Sequence, residues 1–250
     1  MSDIKVIGID PAPSKKSTIY DGEKFEHKDY ASLKKYLSEE LEKNKKILIC
    51  WDAPLSFYLN TKSPFTKRVI EKFFTKKITG FKTPKGISIR PYSECSHWTI
   101  TQYILGYPYI RPIYPASSHS FNLVFEKASI NKSVTEVHPA LAMWIWGKTN
   151  NFEIKNYKKN IDDLDEIIDK LIIINVVDKQ IKTKIYEQEV KYQADCLDAY
   201  IAWKLGNDWI NGTDVEILGG NKTGSFLLPN YPNLKEKFDE FKKQHLSDAL

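Results

Sequence analysis

Two short apolar segments, each ending in an aspartate, limit most strongly what this chain can fold into. Residues 5–10 and 46–52 both have the unbroken apolar pattern of strands buried in a sheet. Between them, residues 31–44 carry leucines at helical spacing, so the order is strand, helix, strand. Such a connection is almost always right-handed and makes the two strands parallel. The sequence therefore predicts an α/β fold in which Asp10 and Asp52 end neighbouring parallel strands.

The rest of the chain adds elements of both kinds. Strands are predicted at 17–20, 24–29 and 134–137 and in an extended pair around 219–220, and helices at 139–146, 162–177, 193–209 and 233–246. A long section, residues 56–131, has no simple pattern, although helices are predicted near 93–105 and 117–127. We therefore predict one domain over residues 1–250, with a mostly helical insertion at about 56–131.

Further acids are predicted at the same edge of the sheet. Glu136 ends the third candidate parallel strand, and His138 follows two residues later. Asp195 and Asp198 are three residues apart on a predicted helix and so share a face, where neighbouring alanines allow a helix to approach a sheet closely. The carboxyl edge of an open α/β sheet is where ligands usually bind.

Each of these residues also has a purely structural interpretation. Asp10 fits a turn or a helix cap, and Asp195 fits an N-cap with Asp198 in the first helical turn. His138 is as well suited to orient the backbone or a carboxylate as to bind a metal. These alternatives remain open at the level of sequence.

Carboxylates on adjacent strands imply a cation. Neighbouring strands lie ~4.8 Å apart, and two carboxylates at that separation repel unless one is protonated or a cation neutralises them. Hard oxygen ligands favour Mg²⁺ or Mn²⁺. We therefore predict that five acids are metal ligands: Asp10, Asp52, Glu136, Asp198 and Asp195. The first four of these are also predicted to be catalytic.

Four motifs in order carry a resemblance to a known family. They are Gly8-Ile9-Asp10, Trp51-Asp52-Ala53-Pro54-Leu55, Glu136-Val137-His138-Pro139-Ala140 and Asp195-x-x-Asp198-Ala199. Together with the C-terminal extended pair they resemble the ribonuclease H-like superfamily, and more closely an uncharacterised family described as predicted ribonuclease H-like nucleases. The matches span residues 8–229. The chain departs from many relatives at Pro11 and Pro13, where a more glycine-rich turn is usual.

The resemblance implies a fold and an activity. The fold is a mixed five-stranded sheet flanked by helices, with strands one to three antiparallel and two more parallel to strand one. The activity is a metal-dependent nuclease that hydrolyses phosphodiester bonds of DNA or RNA. In the expected mechanism two Mg²⁺ or Mn²⁺ ions, ~3.5–4 Å apart, activate water and stabilise the leaving oxygen. The alternatives are an actin-like or kinase-like nucleotide-binding ATPase, or a non-catalytic nucleic-acid-binding protein on the same fold.

The positive charge is concentrated in one segment. Residues 62–90 hold nine basic side chains and one acid, Glu71, with four phenylalanines among them, whereas the whole chain carries a net charge of only +5. Basic and aromatic side chains together suit a phosphate backbone with stacked bases. The alternative is a solvated amphipathic helix whose phenylalanines face the core. The residues predicted to bind nucleic acid are Lys67, Arg68, Lys72, Lys76, Lys77, Lys82 and Arg90.

The compartment follows from what the sequence does not show. The three cysteines are far apart, so they predict neither a disulfide framework nor a zinc site. The first ten residues do not have the pattern of a signal peptide, and no run of ~18 apolar residues is present. We expect a cytoplasmic protein without a membrane partner. The sequence does not predict an oligomeric state.

Overall fold

A mixed six-stranded sheet organises the protein. The computed structural model describes residues 4–55, 67–84, 87–89, 100–101, 104–105, 121–220 and 223–246. The strands are β1 (Ile4–Asp10), β2 (Ser17–Tyr20), β3 (Phe25–Lys28), β4 (Lys46–Trp51), β5 (Asn122–Leu123) and β6 (Lys132–Glu136), in the order β3-β2-β1-β4-β6-β5. β1, β2 and β3 are antiparallel, whereas β4, β6 and β5 run parallel to β1. The predicted α/β class is confirmed, with one strand more than expected.

The additional strand replaces part of a predicted helix. We predicted a helix near 117–127, of which 117–120 lie outside the described residues. Within the described part, β5 pairs with β6, and the Val124 N–H donates to the Val134 carbonyl at 3.0 Å. Phe121 and Val124 are buried while Asn122 is exposed. A stretch this short has no helical period to distinguish it from an edge strand, so the helix prediction was wrong there. Most of the helix predicted near 93–105 lies outside the described residues.

Seven α-helices with described bounds, two short 3-10 helices (Lys77–Thr79 and Lys127–Ser129) and a hairpin lie outside the sheet. The helices are α1 (Tyr30–Lys43), α2 (Val69–Thr75), α3 (Pro139–Asn150), α4 (Ile161–Ile173), α5 (Lys179–Tyr186), α6 (Val190–Asn211) and α7 (Leu234–Leu246), and the hairpin strands are β7 (Val215–Gly220) and β8 (Gly224–Pro229). α4 ends four residues earlier than predicted, because Asn175 adopts a left-handed conformation with φ 58°. The sequence did not predict α5. None of the described helices has the length and apolar character needed to cross a bilayer.

Helix α6 packs across β1, β2 and β4 at unusually short range. A Cβ built on Gly8 would lie 2.1 Å from the carbonyl oxygen of Ala199, and one built on Gly206 would lie 2.3 Å from the Cys50 sulfur. Only glycine fits at either contact. Ala199 and Ala202 are fully buried in the same interface. The small residues therefore bring the helix onto the sheet and carry Asp198 to the ends of the strands.

Candidate active site

The sheet register brings Asp10 and Asp52 to adjacent positions. Ile9 pairs with Trp51, and the Asp52 N–H donates to the Ile9 carbonyl at 3.0 Å. Asp10 and Asp52 are the next residues on these two parallel strands, and residues at equal register project to the same face. Asp198 comes from α6, which packs on the sheet over β1 and β4. We call Asp10, Asp52 and Asp198 the acidic cluster.

The three carboxylates perturb one another. Burial raises the pKa of Asp10 well above its usual value, and the charges of Asp198 and Asp52 raise it further, while Lys158 opposes them. Burial, followed by the charge of Asp198, raises the pKa of Asp52 to about 8, again against Lys158. Burial also raises the pKa of Asp198. Without a cation these carboxyl groups therefore favour the protonated form, and a bound cation would stabilise their ionised form.

Two residues that the sequence did not single out hold Asp198. Both lie in the connection between α3 and α4: the Tyr157 hydroxyl donates to Asp198 Oδ1 at 2.6 Å, and Lys158 Nζ lies 2.5 Å from Oδ2. Burial alone would lower the pKa of Lys158, but Asp198 and the nearby Asp10 and Asp52 hold it well above its usual value. The ammonium is therefore charged within the cluster. The connection has no periodicity or motif that could have identified it.

Asp195 is paired with a lysine rather than capping a helix. α6 begins at Val190, so Asp195 lies beyond its first turn and the N-cap interpretation is wrong. The Asp195 side chain is nearly buried and accepts a short hydrogen bond from the ammonium of Lys15. Asp195 therefore neighbours the acidic cluster with its own counter-ion.

Glu136 is engaged by Arg68. It pairs with Trp51, one position before Asp52, so its backbone is offset by one residue from the pair formed by Asp10 and Asp52. Its carboxylate accepts hydrogen bonds from both terminal nitrogens of Arg68 at 2.6 and 2.8 Å, and from the Leu55 N–H at 2.8 Å. Both side chains are about 98–99% buried. Three hydrogen bonds and the guanidinium charge already engage this carboxylate, unlike those of Asp10 and Asp52, and the role of Glu136 as a metal ligand stays a prediction.

His138 caps helix α3. It is the N-cap residue, and its Nδ1 accepts the Leu141 N–H at 3.4 Å. Burial lowers the pKa of His138 to about 4, so the ring is neutral and able to accept that hydrogen bond. The structure thus favours the backbone-orienting alternative for His138.

The basic segment divides into core and surface residues. Phe73, Phe74 and Phe81 are buried in the main core, as the amphipathic alternative predicted, and so cannot stack on bases. Arg68 pairs with Glu71 as well as Glu136 in the interior, so its predicted contact with nucleic acid does not fit either. Lys67 and Lys72 are partly exposed, and Lys76, Lys77 and Lys82 are exposed. Arg90 lies outside the described residues.

Asp10 and Asp52, the two predicted ligands without a partner among the described residues, have the chemistry to bind one divalent ion. Within the described part of the chain, the side chains of Asp10 and Asp52 make no hydrogen bond or ion pair. No group of three or more His, Cys, Asp or Glu side chains there is arranged around a common metal position, and Lys158 lies among the carboxylates instead. Two unpaired oxygen donors on adjacent strand ends nevertheless match the ligand chemistry of Mg²⁺ and Mn²⁺.

Comparison with known proteins gives one partial similarity. A family model described as "Protein of unknown function (DUF429)" matches residues 119–222. The matched region contains Glu136, Lys158, Asp195 and Asp198, whereas Asp10 and Asp52 precede it. No curated protein and no solved structure gives a significant match. This part of the chain is therefore similar to an uncharacterised family, whose description names no activity.

Proposed function

We propose that the protein is a divalent-metal-dependent hydrolase that cleaves phosphodiester bonds in nucleic acid. The observation that carries the proposal is the pair of unpartnered carboxylates, Asp10 and Asp52, at adjacent ends of the parallel strands β1 and β4. Asp198 lies beside them and strengthens the local negative charge. Asp10 is buried and Asp52 partly buried. Carboxylates in such positions without a counter-ion are unfavourable for stability, so their presence at the carboxyl edge of the sheet supports a functional use.

Asp10 and Asp52 would hold the metal. When bound, a divalent ion supplies an activated water and stabilises negative charge on a phosphate. Tyr157 keeps Asp198 in place through its hydroxyl, and burial raises the pKa of Tyr157 well above its usual value, so it remains a donor. The order β3-β2-β1-β4-β6, antiparallel over the first three strands and then parallel, supports a ribonuclease H-like assignment for this chemistry.

Exposed lysines next to the same edge support a nucleic-acid substrate. Helix α2 begins directly after Arg68, whose guanidinium binds Glu136 at the end of β6. Arg68 thus anchors the lysine-bearing segment near the carboxyl ends of the strands. The exposed or partly exposed lysines that could contact a phosphate backbone there are Lys67, Lys72, Lys77 and Lys82, while the ammonium of Lys76 lies 2.9 Å from His245 Nε2. Their attraction is independent of base sequence and distinguishes neither DNA from RNA nor single from double strands.

Cleavage of a labelled substrate panel tests the proposal. Wild-type protein and Asp10→Asn are incubated with Mn²⁺ or Mg²⁺ and single-stranded DNA, double-stranded DNA, RNA, an RNA–DNA hybrid and a branched junction. Asp162→Asn, an exposed acid in the first turn of α4, is the matched control. We expect cleavage that requires metal, is lost in Asp10→Asn and is retained in Asp162→Asn. If Asp10→Asn retains wild-type cleavage, or no substrate is cut while circular dichroism shows an intact fold, the proposal is refuted.

A further inference from the structure

Three of the five acids predicted to hold metal already have a cation from this chain. Asp195 pairs with Lys15, Glu136 with Arg68, and Asp198 with Lys158. Only Asp10 and Asp52 lack such a partner among the described residues. The expectation of two metal ions assumed that every acid was free to coordinate a metal. The three ion pairs contradict this assumption.

Lys158 is fixed in the cluster by its neighbour. Tyr157 is 5% exposed and donates to one oxygen of Asp198, while the Lys158 ammonium contacts the other. The Lys158 side chain keeps 47% of its surface exposed, so its stem reaches in from solvent and its head lies against the carboxylate of Asp198. The charged groups that act on the ammonium are Asp198, Asp10 and Asp52. A lysine fixed in this way is a permanent positive charge at the site.

We propose that the ammonium of Lys158 takes the place of a second metal, so that the site binds one divalent ion at Asp10 and Asp52. This inference rests on the proposed function and specifies its metal content. When both are ionised on binding a metal, the two unpaired carboxylates carry two negative charges, which one divalent ion balances. A second divalent ion would require Asp198, whose oxygens hold Tyr157 and Lys158, and would lie close to a like charge.

The same placement gives Lys158 a role toward the substrate. An ammonium has three N–H donors, and the structure shows one carboxylate contact for that of Lys158, to Asp198. The half-exposed side chain leaves donors for a phosphate oxygen that approaches the metal. In this arrangement Lys158 supplies charge stabilisation from the protein, and Asp198 acts as its positioning residue.

Mn²⁺ titration measures the stoichiometry without any need for activity. Wild type, Lys158→Met, Lys158→Arg and the exposed neighbour control Lys159→Met are titrated by calorimetry, with free Mn²⁺ followed by electron paramagnetic resonance. We expect one ion for wild type, Lys158→Arg and Lys159→Met. Lys158→Met is expected to bind its first ion about tenfold more tightly, because a nearby like charge is removed, and to accept a second.

The outcomes separate the inference from the proposed function. Two ions bound by the wild type would overturn the inference while leaving a metal-dependent hydrolase intact. Unchanged stoichiometry and affinity in Lys158→Met would also overturn it. Absence of Mn²⁺ binding in all four proteins would instead overturn the proposed function, since no ion would then be present to hydrolyse a phosphodiester.

Discussion

Arg68→Met is expected to lower the free energy of unfolding by about 3–5 kcal/mol. Arg68 and Glu136 are almost completely buried and share two hydrogen bonds of 2.6 and 2.8 Å. Methionine retains much of the apolar volume but leaves the buried carboxylates of Glu136 and Glu71 without their shared counter-ion. Removal of one partner of a buried pair costs more than the pair itself contributes, because an uncompensated charge remains in the interior. The expected loss is a large part of the ~5–15 kcal/mol that stabilises a typical domain.

Urea unfolding followed by circular dichroism measures this loss. Lys77→Met, an exposed lysine that follows the same helix, is the control and is expected to change stability by less than about 0.5 kcal/mol. The double variant Arg68→Met/Glu136→Met is expected to be more stable than the sum of the single losses by about 1–3 kcal/mol, since the carboxylate of Glu136 is gone and only that of Glu71 is left without Arg68. If Arg68→Met unfolds within about 1 kcal/mol of wild type, the structural role assigned to this pair is refuted.

Three further predictions concern the acidic cluster, the contact between α6 and the sheet, and the lysines of residues 62–90. The pKa of Asp52, raised to about 8 in the folded protein against ~3.9 when unfolded, makes the metal-free protein lose stability as pH rises from about 4 to 8. Since Mn²⁺ needs the ionised carboxylate, the shift in melting temperature on adding Mn²⁺ should grow between pH 6 and 8, and a constant shift contradicts this. Gly8→Ala should lower the free energy of unfolding by at least about 1–3 kcal/mol, because its Cβ would collide with α6. The control is Gly220→Ala, whose Cβ would meet open space. Equal urea midpoints for the two variants would refute the close approach of α6 to β1. Charge reversal of Lys72, Lys76 and Lys77 should weaken nucleic-acid binding and flatten the dependence of its affinity on salt concentration. Fluorescence anisotropy measures both, and an unchanged salt dependence would exclude these lysines as the nucleic-acid-binding surface.

The strands and helices that a local sequence pattern specifies could be predicted from the sequence. β1 and β4 are continuous apolar runs ending in acids, and the helix between them has helical spacing, so their parallel pairing follows from chain connectivity. The same reasoning placed Asp10 and Asp52 side by side. α6 was predictable as a helix, and its alanines indicated the close contact that brings Asp198 to the sheet.

The remaining features depend on contacts distant in sequence. Glu136 also ends a buried strand, but only the register of β6 against β4 shows that it is offset by one residue from Asp52. Arg68 lies in a lysine-rich segment, and its burial depends on a partner 68 residues away. Lys158 sits in a connection without periodicity, so its pairing with Asp198 has no local signal.

Anomalous scattering from Mn²⁺-soaked crystals is the most direct test of the central claim that Asp10 and Asp52 hold a divalent ion. The account predicts one anomalous peak at the acidic cluster, within coordination distance of both carboxylates, with the Lys158 ammonium retained beside Asp198. The same soak of Asp10→Asn crystals is expected to show no peak there. A wild-type map without a peak at the cluster, or with Mn²⁺ bound by Glu136 in place of Arg68, would contradict the account.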